Sequence, residues 1–206
     1  MHRDVFPEWS PGPSHPRPVE TQVDVWRIDL VLPDHPTADP TAHRALARAA
    51  MHDVLARYLA RPAETLALSV QPGGKPYLDL PLEFNLSHCA DTALLAVTAA
   101  TEVGVDIERL RAIDDPLRLA HRALTATEVA QISAAPADRQ LALFLDLWTR
   151  MEARQKAFGH GIFARRVDPA DVSTFGFRPN SQHFASLAVR RPHLELSLRF
   201  YDYSGP

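Results

Sequence analysis

Between residues 103 and 108 the chain reads Val-Gly-Val-Asp-Ile-Glu. Strict alternation of β-branched with small or acidic residues makes this segment an extended strand, with Val103, Val105 and Ile107 on one face and Gly104, Asp106 and Glu108 on the other. The apolar face needs a core behind it. The other face sets two carboxylates about 6.6 to 7 Å apart at Cα. They repel unless something positive lies between them, and a hard divalent cation such as Mg²⁺ answers that repulsion. A half-exposed strand with a solvated acidic face is the simpler reading, and the spacing by itself favours it.

Residues 1–20 hold five of the chain's 18 prolines, which predicts an irregular or mobile arm. Val23 to Leu32 alternates as a first strand. From Thr41 to Ala60, Leu46, Ala49, Val54 and Tyr58 recur near helical spacing, and Pro62 limits the helix. Short extended pieces follow at 66–70, 77–78, 84–88 and 93–100, with a turn at Pro72, Gly73 and Gly74. Pro116 to Ala135 reads as helical, with Thr125 or Thr127 as a cap. Leu141 to Phe158 is a longer helix whose Leu141, Phe144, Trp148 and Met151 form the buried stripe, stopped by Gly159 and Gly161. Thr174 to Phe177, His183 to Val189 and Leu194 to Tyr201 are the closing strands. Helices and strands occur in both halves, which predicts an α+β protein of two lobes near 21–103 and 104–206, although no residue-level repeat supports the division.

The 206 residues are enough for a real core. A formal charge of −3 with acids and bases interspersed gives no basic surface for nucleic acid. No apolar stretch approaches the roughly 20 residues of a membrane span, and the first residues lack a signal-peptide core. One cysteine, Cys89, excludes a disulfide scaffold and a cysteine-based zinc site, and fits a cytoplasmic protein. Of 22 basic residues 20 are arginine, so Lys75 and Lys156 are the only lysines. A compact ammonium in a chain otherwise using arginine points to sites that a planar fork does not suit.

Both lysines sit in motifs. Trp148, Glu152 and Lys156 are successive i,i+4 neighbours and form a column on the long helix. An exposed Glu-to-Lys pair accounts for two of them, though not for the glycines that follow. If the column faces the Asp106 strand, three carboxylates and one ammonium meet in a metal-assisted phosphoryl site. Gly73-Gly74-Lys75-Pro76 lacks P-loop spacing and reads as a glycine-rich turn offering its backbone to a ligand, or as an ordinary hairpin turn. Ser87 and His88 are strand neighbours on opposite faces, so they do not pair as nucleophile and base. His88 alone is a phosphate-contact candidate.

Taken in order, GKPYL at 74–78, FNLSHC at 84–89, GVDIE at 104–108 and WTRMEARQKAFGHGI at 148–162 resemble the 4'-phosphopantetheinyl transferases of the surfactin-synthetase-activating type. The resemblance implies a pseudo-dimer of two similar α+β lobes, with coenzyme A in the cleft between them. Nucleotide contacts would fall in the N-terminal lobe, 21–103, and magnesium and catalytic residues in the C-terminal lobe, 104–206. It implies Mg²⁺-dependent transfer of phosphopantetheine from coenzyme A to a serine of an apo acyl or peptidyl carrier protein, releasing 3',5'-ADP. By the same resemblance Asp106, Glu108 and Glu152 hold the metal, Glu152 is also the base, and Lys156 contacts the transferred phosphate. Arg48, Gly74, Lys75, Pro76, Ser87 and His88 contact coenzyme A. Met151 stands where the family commonly has lysine, and Cys89 where serine is frequent.

Carriers of this kind are acidic helical bundles, so Arg109, Arg111, Arg118 and Arg122, crowded after the acidic strand, are the expected docking residues. Fatty-acid, polyketide and nonribosomal-peptide carriers are not distinguished by any residue. Two lobes in one chain make a monomer sufficient. The competing readings are a coenzyme A-binding protein without turnover and a magnesium-dependent phosphohydrolase.

Overall fold

The computed structural model describes residues 5–18, 20–31, 39–99, 101–161, 166–192 and 197–205. Strands β1 (Ser10–Pro11) and β2 (Gln22–Asp29) precede helix α1 (Pro40–Leu59). The short hairpin β3 (Ser69–Val70) and β4 (Pro76–Tyr77) follows, then β5 (Glu83–Cys89), β6 (Thr92–Thr98) and β7 (Val103–Arg109). Three helices, α2 (Pro116–Ala123), α3 (Ala126–Ala134) and α4 (Ala137–Ala157), lead to β8 (Ser173–Asn180), β9 (His183–Val189) and β10 (Ser197–Asp202). The fold is mixed α and β, as the residue pattern predicts.

One sheet has the order β1-β10-β2-β6-β5 and a second has β7-β9-β8. Alternation explains the packing. In β2, Trp26, Ile28 and Leu30 at its end turn to α1, where Met51, Val54 and Leu55 meet them. Val23 and Val25 turn the other way, onto Val103, Val105 and Ile107 of β7 and Ala185 and Leu187 of β9. Leu94 and Ala96 of β6 join this second core. The apolar face of β7 is therefore committed to the space between the sheets, and its Gly104-Asp106-Glu108 face is left for α4.

Gly104 decides how close α4 comes. A Cβ there would lie 2.1 Å from the Ala153 carbonyl oxygen and 2.4 Å from the Ala157 nitrogen, so only glycine admits this approach of helix backbone to strand. Thr149 adds a hydroxyl contact to Ser186 of β9 at 2.9 Å. The opposite side of α4 packs Phe144, Leu145 and Met151 against α2, α3 and Phe184.

Three expectations change. The helix read over 116–135 is two helices, because Thr125 ends one and caps the next: its hydroxyl accepts from the Glu128 N–H while the Glu128 carboxylate accepts from the Thr125 N–H, a complete capping box. The proline-rich arm, where described, is irregular but docked. Ser10 and Pro11 pair with β10, and Trp9 lies edge-on to Phe200 with the Arg27 guanidinium over its ring. The last strand inserts parallel between β1 and β2, so the larger sheet draws on both halves of the sequence. Bidentate pairs of Arg27 with Asp202 and of Arg199 with the buried Asp24 fix it there. The first residues of the segment read as a strand from Leu194, like Ile162 of the long motif, lie outside the described residues. Among the described residues no helix is long and apolar enough to cross a membrane.

Candidate active site

The face of β7 that carries Asp106 and Glu108 meets the face of α4 that carries Glu152 and Lys156. One ligand oxygen from each of Asp106, Glu108 and Glu152 lies within 4.8 Å of the others. The Lys156 ammonium lies 2.5 Å from Asp106 Oδ1 and 3.7 Å from Glu152 Oε2. From β5, the Ser87 hydroxyl donates to the same Asp106 oxygen at 3.1 Å and accepts from Lys156 at 2.9 Å. The i,i+2 spacing on the strand and the i,i+4 spacing on the helix thus converge on one point, which meets the condition on which the sequence reading of the site depends.

Carboxylates this close repel, and the repulsion shows in the two glutamates. Burial, then the neighbouring Asp106 charge, pushes Glu152 up to about 7, with Lys156 acting in the opposite direction. Burial and Asp106 also raise Glu108. Burial works against the Lys156 ammonium, but Asp106 and Glu152 outweigh it and hold the group above the ordinary lysine value. The cluster therefore has more negative charge than one lysine neutralises.

The residues present fit a hard divalent cation. Asp106 is 3% exposed, and its Oδ2 has no hydrogen-bond partner although it is buried. A buried carboxylate oxygen without a donor is costly unless a cation takes the place of one. The donor set is all oxygen, which suits Mg²⁺ better than a softer metal.

Two clefts open on either side. The larger, of about 570 Å³, is lined by His43, Arg44, His88, Cys89, Glu108, Arg109 and Arg111 among others. Burial, then the Arg44 and Lys156 charges, lower the proton affinity of His88. The smaller, of about 260 Å³, is bounded by Gly73, Gly74, Lys75 and Pro76 on one side and by Glu152, Lys156, Gly159 and Gly161 on the other. Gly73 is needed there, since a Cβ would lie 1.7 Å from the Gly159 carbonyl oxygen.

Not every residue singled out from the sequence faces a cleft in the same way. Lys75 lines the smaller cleft, yet its ammonium is buried and donates to the Val103 carbonyl at 2.9 Å. Arg48 is exposed on α1 and lines neither cleft, whereas Arg44, one turn earlier, lines the larger. Arg109 and Arg111 border the larger cleft beside Glu108. Arg118 and Arg122 lie on α2, where Arg118 pairs with Asp115 and the Arg122 carbonyl accepts from Arg166. Met151 is 5% exposed and packs with Phe144 and Leu145, so no cation replaces the family's lysine at that position. Asn85, unnoticed in the sequence, accepts from the Val105 N–H at 2.8 Å. Its signal was available, because Asn85 is two residues before Ser87 and shares its face.

Three acids and a lysine gathered where strand and helix meet on an α+β scaffold have the donor set that a divalent cation and a phosphate would use. Residues 102–203, which hold all three acids and Lys156, match the family model described as 4'-phosphopantetheinyl transferase superfamily. Over these residues, just under half of its length, the chain is similar to that superfamily, and the relatives it matches are named as transferases. The chain is 29% identical over 179 residues to the 4'-phosphopantetheinyl transferase HetI of Nostoc sp. (strain PCC 7120), covering 75% of this chain and 76% of that protein. It is 38% identical over 122 residues to psf-1 of Bacillus pumilus, covering 56% and 51%, and 43% identical over 88 residues to AcpT of Salmonella typhi, covering 42% and 46%. Both carry the same transferase name, and the match spans about half the length of each.

Proposed function

We propose that this protein transfers the 4'-phosphopantetheine group of coenzyme A to a serine of an apo acyl or peptidyl carrier protein and releases 3',5'-ADP, in the manner of the surfactin-synthetase-activating type. The observation that carries the reading is the grouping of Asp106, Glu108 and Glu152 within 4.8 Å, with Lys156 at 2.5 Å from Asp106. Of the proposed lobes, 21–103 with nucleotide contacts and 104–206 with the acids, the second is supported by the place of β7 and α4 in the chain, while β10 belongs to the sheet of the first.

Asp106, Glu108 and Glu152 are the residues that would hold Mg²⁺, which when bound neutralises charge across the two phosphates of coenzyme A. Glu152 accepts the proton of the carrier serine. The serine oxygen forms its bond to the phosphorus bearing pantetheine as the bond from that phosphorus to the bridging oxygen breaks. The electron pair leaves with 3',5'-ADP. Lys156, held in place by Ser87 and Asp106, puts an ammonium against the phosphoryl oxygens, where negative charge collects. His88 and Arg44 in the larger cleft add contacts for phosphate, and the Gly74 to Pro76 turn lies beside the adenine in the smaller.

Incubation with coenzyme A, Mg²⁺ and an apo carrier, followed by mass measurement of the carrier, tests this. The carrier is expected to gain one phosphopantetheine, with 3',5'-ADP released in equal amount. Binding of coenzyme A with no gain in mass on any of several carriers, or release of product with no carrier present, would reject it.

A further inference from the structure

Strand β7 is the edge of its sheet, paired with β9 on one side only, and no strand pairing joins it to β5 among the described residues. Side chains from the preceding half of the chain cover that edge instead. Lys75 Nζ donates to the Val103 carbonyl at 2.9 Å, and Asn85 Oδ1 accepts from the Val105 N–H at 2.8 Å. Both side chains are buried, Lys75 7% and Asn85 5% exposed. Further along, Ser87 reaches Asp106 and Cys89 lies 3.7 Å from Glu108. Asn85, Ser87 and Cys89 alternate on β5, so they share one face and meet β7 at advancing positions.

We propose that Asn85 is a positioning residue for the acid cluster: by accepting the Val105 N–H it fixes β7 along β5, so that Asp106 stands opposite Lys156 and Glu152. Val105 immediately precedes Asp106, and its outward N–H has no strand partner to hold it. Without the amide oxygen a buried donor is left unsatisfied, and the strand shifts or admits water to supply an acceptor. Either change moves carboxylates that must meet within one coordination sphere. The contact to backbone, with no carboxylate involved, makes the effect on the cation indirect. The inference rests on the reading of the cluster as a cation site.

The test compares Asn85→Leu, which keeps bulk and removes the acceptor, with Asn85→Asp, which keeps an acceptor for the N–H. Mn²⁺ alone, titrated calorimetrically into the full chain, is the probe. Asn85→Leu is expected to weaken Mn²⁺ binding about tenfold, the scale for losing a group that supports metal ligands. Turnover falls about as much while the KM for coenzyme A stays within about twofold. Asn85→Asp binds Mn²⁺ no more than about threefold weaker than the unaltered protein. Unchanged Mn²⁺ affinity in Asn85→Leu, a loss confined to the KM for coenzyme A, or an Asp variant as weak as the Leu variant would each overturn the proposal. Where the Leu variant does not fold, amide exchange in the unaltered protein decides: a protected Val105 amide supports the contact, and exchange at the rate of an open sheet edge removes it. An unaltered protein that binds no Mn²⁺ rejects the cation reading itself, a different result from an unaltered protein and a Leu variant that bind alike.

Discussion

Lys75 and Lys156, the chain's only lysines, both end on oxygen atoms, one a strand carbonyl and the other a carboxylate shared with a serine. In each case a single compact charge fits between strands or between strand and helix, where a guanidinium fork would need more room. The sequence marks the two positions as unusual but does not show where either ammonium points. Lys75 was legible as part of a turn, and its grip on Val103 was not, since that depends on a fold that brings residues 28 positions apart together. The pairing of acids on each element was legible, because strand and helix periods fix which side chains share a face, but the meeting of the two faces was not. Glu152 gives the pH behaviour. Its folded value near 7 is above its ordinary value of 4.5, so the protein without metal takes up a proton on folding between these limits. That contribution is fully present below about 4.5 and is lost as pH rises through about 7, on the order of 2 kcal/mol. The melting temperature without metal should therefore fall from pH 5 to pH 8, and the rise produced by Mg²⁺ should grow over the same interval. Glu152→Gln should flatten both trends and lower turnover at least about a hundredfold. Equal melting temperatures at pH 5 and pH 8 in the unaltered, metal-free protein would contradict the assignment.

At the scale of elements, β7 and α4 act as one unit because Gly104 lets them touch. Replacing it by alanine puts a methyl group into helix backbone, which cannot rotate away as a side chain does. Gly104→Ala is expected to destabilise the protein by about 3 kcal/mol in urea unfolding. In any folded fraction it should separate Asp106 from Lys156 and reduce turnover. A change under about 1 kcal/mol would mean that the helix yields more easily than the contact distances imply. The same pair was the easiest part of the fold to read, with a period of two in one and a stripe of 3.6 in the other. Harder was the stretch from 116 to 135, where apolar residues continue across a break. Thr125 and Glu128 carry the signal for a new helix start, but the threonine two positions later is an equal candidate in sequence. Only the reciprocal hydrogen bonds choose between them.

For the molecule as a whole, Glu108 lines a cleft on one side of the acid cluster, rimmed by Arg109 and Arg111, and Glu152 lines a cleft on the other. If an acidic carrier docks over this rim and the exposed face of α2, the double substitution Arg111→Glu and Arg118→Glu should raise the carrier KM about tenfold at low salt. The difference should shrink as ionic strength rises. A carrier KM and salt dependence equal to those of the unaltered protein would place docking elsewhere. Sheet membership was the least legible property at this scale, since alternation identifies a strand without naming its neighbour. Nothing in Ser197 to Asp202 shows that it lies between residues near 10 and residues near 25. That arrangement bears on how the protein is made. A ribosome that has released α1 and the first hairpins still lacks the strand that covers the edge of β2, with Arg27 and Asp24 awaiting their partners. The opening half must stay incomplete, with an unpaired strand edge open to chaperones or to other nascent chains, until residues near 200 emerge.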